Sequence, residues 1–113
     1  MITTKHVDDF TLALDEKRFW DAHEVLEKLW FEKRFEDSNE VRLLKGFINA
    51  AVSFELEKRD RENASKRVWK TYLKYRQLLF KTGSKKVKLY YDIFLKIENV
   101  KKHSFSQTYI KTK

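Results

Sequence analysis

The chain has 113 residues, enough for one hydrophobic core and too few for two ordinary domains, and its formal net charge is +8. Nine Phe, five Tyr and three Trp supply the bulky apolar surface for that core, while 37% charged residues can cover the outside. No cysteine is present, which excludes disulfides and thiolate metal sites, and two Gly with no Pro leave a palette that favours helix over strands and turns.

The periodicity predicts an all-α single-domain bundle of five helices over residues 1–113. The first spans about Lys5 to Glu16, with Val7, Phe10 and Leu14 on one face and Asp8 and Asp9 near its positive end, and a break follows at Lys17. The second, about Phe19 to Lys33, carries Phe19, Ala22, Val25, Leu26, Leu29 and Trp30 on one broad apolar arc, which Trp20 and Phe31 extend on the far side of His23 and Glu27. A histidine and a carboxylate one turn apart are thus bracketed by apolar side chains. Such a pair is either a satisfied buried network or the floor of a site.

Glu36 to Asn39 separate the second helix from the third, with Ser38 or Asn39 available as N-cap. The third, about Glu40 to Arg59, places Leu43, Leu44, Phe47, Ile48, Ala51 and Phe54 on one face, beside a small-residue strip of Gly46, Ala50 and Ser53 where another backbone can come close. Glu55 projects from the edge of that face and can approach His23 and Glu27. The fourth, about Glu62 to Lys81, is predicted to bury Val68, Trp69, Tyr72, Leu73, Leu79 and Phe80 and to stop at Gly83. The fifth, about Lys85 to Lys101, is apolar at Val87, Tyr90, Tyr91, Phe94, Ile97 and Val100, and residues 102–113 are expected to form a frayed tail. Four helices are expected around one core, with the first lying across an end or groove.

The stretch Phe19-Trp20-Asp21-Ala22-His23-Glu24-Val25-Leu26-Glu27-Lys28-Leu29-Trp30, read with Leu44 to Ala51 and Asn63-Ala64, resembles the small helical proteins filed as domain of unknown function 309. The resemblance implies a compact helical bundle and no established activity. By that motif His23, Glu24, Glu27, Trp30 and Gly46 take the family's signature positions. Three departures stand out: Lys17 replaces a usual Gly, Lys45 and Asn49 replace glutamines, and Glu55-Leu56 sits where a Tyr-His pair is frequent.

Three functional readings follow. In the first, the protein is an interaction module that self-associates or binds a protein partner through the Gly46/Ala50/Ser53 strip or an exposed aromatic patch, with His23 and Glu27 as a structural network. In the second, it is a metal-assisted hydrolase-like enzyme using His23, Glu24, Glu27 and Glu55; a metal, if bound, would take His23, Glu27 and Glu55. The Glu-x-x-His order of di-metal bundles is absent, and no cofactor is expected. Trp20, Trp30, Gly46 and Asn49 are the motif or pocket residues, although the spacing of the two tryptophans with Leu26 and Leu29 reads first as core packing.

The third reading is sequence-independent binding of nucleic acid or another polyanion by Lys66, Arg67, Lys70 and Lys74. Charge is unevenly divided: residues 1–60 carry 10 Lys/Arg against 14 Asp/Glu, net −4, and residues 61–113 carry 15 against 3, net +12. The two halves, or two copies, can therefore attract each other. No stretch approaches the ~20 apolar residues that span a bilayer, and Met1 to Val7 do not open a secretory signal, so a cytoplasmic protein without a membrane partner is expected.

Overall fold

Residues 1–112 are described by the computed structural model, with side chains described through residue 103. Among these residues there are five helices and no strand: α1 (Thr4–Asp15), α2 (Phe19–Lys33), α3 (Asn39–Lys58), α4 (Glu62–Arg76) and α5 (Val87–Thr112). The expected frayed tail falls almost wholly on residues whose side chains lie outside the described ones.

The entry into α1 is a capping box: the Thr3 hydroxyl accepts from the His6 backbone N–H, and the Thr3 N–H donates to His6 Nδ1 at 3.1 Å. His6, which has no partner at ligand spacing in sequence, thus has a local structural use. At the break, Lys17 adopts a left-handed backbone with φ 59°, the conformation that favours glycine. The Lys17 carbonyl accepts from Lys58 Nζ at 3.0 Å, which ties the turn to the end of α3. The turn therefore keeps a glycine-like shape without glycine.

Helix α3 is the central element and packs against α2, α4 and α5. Its Ser38 N-cap hydroxyl accepts from the Val41 N–H at 3.2 Å. Leu43, Leu44, Phe47, Ile48, Ala51 and Phe54 are buried as the periodicity predicts, and Gly46, Ala50 and Ser53 are buried too. The small-residue strip is covered by α4 of the same chain, because a Cβ on Gly46 would meet Tyr75 Cβ at 2.8 Å and Tyr72 Cα at 3.8 Å. Ser53 and Ser65 seal this seam reciprocally: each hydroxyl donates to the other residue's carbonyl, at 2.9 and 2.8 Å. The strip is consequently no outside contact surface.

Of the two places expected for α1, an end or a groove, its contacts are those of a helix packed against both α2 and α5, and Val7, Phe10, Ala13 and Leu14 join the core. Helix α4 stops at Arg76, five residues earlier than expected, and successive turns follow. That change of register turns Leu79 inward and Phe80 outward, so Phe80 is exposed where burial was expected. Gly83, with φ +68°, lies in the link to α5 and does not cap α4. Helix α5 buries Tyr90, Ile93 and Ile97, while Tyr91 faces out and rests 6.1 Å from the Phe80 ring centroid. Polar contacts also hold α5: the Tyr72 hydroxyl donates to Glu98 at 2.6 Å beside Arg76, the Tyr90 hydroxyl pairs with Glu40, and Lys96 Nζ donates to Asp15 of α1 at 2.8 Å.

Candidate docking surface on α2

His23 and Glu27 sit one turn apart on α2, and the Nε2 of the imidazole pairs with a Glu27 carboxylate oxygen. The other ring nitrogen, Nδ1, lies 3.3 Å from the Trp20 carbonyl, and the Trp20 indole lies against the imidazole with centroids 4.4 Å apart and planes tilted by 32°. Both ring nitrogens thus lie against oxygen atoms of the same helix. The His23 side chain keeps only 12% of its surface exposed, but Glu27 keeps 45%. The imidazole is covered by its own helix neighbours and opens onto an exterior cleft.

That cleft, about 590 Å³, is lined by His23, Glu24, Glu27, Lys28, Phe31 and Glu32, every one of them on α2. Glu55 does not join it; its carboxylate pairs with Arg59 at 2.7 Å one turn along α3. Among the described residues no group of three or more His, Cys, Asp or Glu side chains is placed to hold a metal ion. The structure brings together His23, Glu24 and Glu27 from the sequence-derived set and leaves Glu55 apart.

The two tryptophans have different fates. Trp30 packs half-buried against the core, as its spacing predicts, whereas Trp20 is exposed. Phe31, which the sequence places at the end of the apolar arc, is also exposed, and Phe35 beyond the helix end retains 87% of its surface. Trp20, Glu24, Lys28 and Phe31 therefore make one outward stripe on α2 at spacings of four, four and three residues, and Phe35 stands in the turn just past its end. The Arg34 guanidinium lies over the Phe31 ring at 3.6 Å and the Phe35 ring at 4.4 Å and holds both in place. Periodicity could have located this stripe, but an arc that runs most of the way round a helix hides which edge faces water.

The remaining candidates lie elsewhere. Asn49 Nδ2 donates to the Lys45 carbonyl at 2.7 Å within α3, and Gly46 lies in the α3/α4 seam. Lys66, Arg67, Lys70 and Lys74 are exposed on α4, with Lys74 Nζ 5.3 Å from the Tyr75 ring. No helix among the described residues is long and apolar enough to cross a membrane.

No curated protein and no solved structure matches the chain. A family model described as Domain of unknown function (DUF309) matches residues 7–68, which run from the first buried residue of α1 through α2 and α3 into α4. That span holds the His23/Glu27 pair, the α2 stripe and the Gly46 seam, and the chain belongs to this family.

Proposed function

We propose that this protein is a self-associating interaction module whose contact surface is the outer stripe of α2, and that the occupant of that stripe is a second copy of the chain. One observation carries the reading: Trp20 and Phe31 are exposed by 48% and 54% on the outer edge of α2, and Phe35, 87% exposed, follows just past its end, where Arg34 lies over both phenylalanine rings. Three exposed aromatics on one side of a small chain that already has a buried core are what an association surface looks like. The choice of a second copy rests on charge. The cleft carries three glutamates against one lysine, and residues 61–113 of the same chain carry a large positive excess.

In this reading His23 and Glu27 are structural. The imidazole is a shelf for Trp20 and Glu27 fixes the orientation of the ring, which keeps an exposed indole in one rotamer ready for contact. Sedimentation velocity of the purified chain across a concentration series tests the proposal. A concentration-dependent rise in mass, weakened about tenfold or more by Phe35→Ser, is the expected result. A chain that stays monomeric to high micromolar concentration, or assembles equally well without Phe35, overturns it.

A further inference from the structure

Helix α5 presents a second outward stripe, and its chemistry is the complement of the first. Lys88, Tyr91, Leu95, Asn99 and Lys102 are all exposed and recur every three or four residues, so they share one edge of the helix. Phe80, 75% exposed, extends the apolar middle of this edge, since its ring lies 6.1 Å from Tyr91. Tyr91 in turn stacks with Phe94 at 6.1 Å. Exposed Lys81 and Lys85 flank the patch. An aromatic patch flanked by Lys81, Lys85 and Lys102, with Lys88 paired to Asp92, thus stands on α5, and on α2 an aromatic stripe whose cleft carries Glu24, Glu27 and Glu32 against Lys28, with Arg34 over its two phenylalanines.

The two edges also match in length. From Trp20 to Phe31 the rise along α2 is about 17 Å, with Phe35 extending the stripe past the helix end, and from Lys88 to Lys102 along α5 it is about 21 Å. Within one chain they do not serve each other, because α1 and α3 each pack against both α2 and α5 and lie between them. A like-to-like joint of two α2 stripes would oppose glutamates to glutamates.

We infer that copies of this chain join head to tail, with the α2 stripe of one copy seated on the Phe80/Tyr91/Leu95 edge of the next. This rests on the proposed use of the α2 stripe and adds the identity of the surface that receives it. Such a joint is heterologous: each copy keeps one free stripe of each kind, so assembly proceeds to a ring or a filament and does not stop at a two-fold dimer. The charged rims make it weaken as salt is raised.

The test uses two full-length variants, each broken at one edge: Phe35→Ser with Glu32→Lys, and Phe80→Ser with Lys81→Glu. All four side chains are exposed, and circular dichroism establishes that each variant keeps the fold. Each variant alone is expected to associate at least tenfold more weakly than the parent. A 1:1 mixture is expected to give a species of two chains and no larger, because only an unlike pair has an intact joint, and it has one. As a second measurement, Glu32→Cys and Lys88→Cys chains, which have no native cysteine to interfere, are expected to cross-link under oxidation when mixed and far less when each is alone.

The outcomes separate the two ideas. If the Phe80 variant assembles like the parent while the Phe35 variant does not, the receiving surface is wrong and the α2 reading survives. If the mixture stays monomeric, the head-to-tail joint is overturned. If the parent never associates, both fall.

Discussion

Gly46 on α3 and Tyr75 on α4 stand so close that the missing Cβ of the glycine would sit 2.8 Å from the Cβ of the tyrosine. Rotamer changes cannot relieve this contact, because a Cβ moves only with its backbone. Gly46→Ala must therefore push the two helices apart and disturb the Ser53/Ser65 seam two turns away. Overpacking of this kind costs about 1–3 kcal/mol, offset in part by about 1 kcal/mol of improved helix propensity. A net loss of stability in urea unfolding is expected.

Lys17 offers the opposite prediction. Its φ of 59° strains an L-residue and suits glycine, and the contact that the turn uses, its carbonyl with Lys58, is made by backbone and survives substitution. Lys17→Gly is expected to raise stability by about 0.5–1 kcal/mol, the relief of left-handed strain less the extra entropy of an unfolded glycine. Thermal unfolding of the two chains checks it, and a lowered Tm would contradict it.

The His23/Glu27 pair should prove modest. The sequence leads one to expect about 1–3 kcal/mol for removal of either partner, as for a buried hydrogen bond. Glu27, however, is 45% exposed and can regain water, and the pair is local to one helix. His23→Ala is expected to destabilise by about 0.5–1.5 kcal/mol and Glu27→Ala by about 0.5 kcal/mol. The larger effect of His23→Ala comes from the lost shelf under Trp20, so Trp20→Ala in the His23→Ala background should add little, as a double-mutant cycle would read directly.

Alkaline stability should reveal Tyr72 and Tyr90. Burial raises the pKa of both phenols above their ordinary value of 10.0, and the carboxylates of Glu98 and Glu40 that accept their hydrogen bonds raise them further. The unfolded chain ionises these tyrosines near pH 10 while the folded chain keeps its protons. Their contribution is therefore complete below about pH 10 and falls above it by about 1.4 kcal/mol per pH unit for each tyrosine. Urea midpoints measured from about pH 9 to pH 11.5 should drop more steeply in the parent than in Tyr72→Phe or Tyr90→Phe.

Much of the fold is written in local spacing. Five helices, the buried face of α3 and the inward Phe10, Leu26 and Tyr72 follow from a 3.6-residue period and need no knowledge of neighbours. The bracketed histidine of α2 is likewise legible, and so is the family motif that surrounds it. The end of α4 is not: nothing in Gln77 to Phe80 breaks a helix by composition, yet the helix stops at Arg76 and turns follow.

The sequence by itself therefore determined the fold class, the core residues of α3 and the His23/Glu27 spacing, because hydrophobic period and helix geometry are local properties. Only the tertiary structure decided which surfaces face out. Helix α4 took the Gly46/Ala50/Ser53 strip, Arg59 took Glu55, and no helix among the described residues covers Trp20 and Phe31. Which edge of a broad apolar arc stays wet depends on how many helices pack against it, and no window along one helix contains that number.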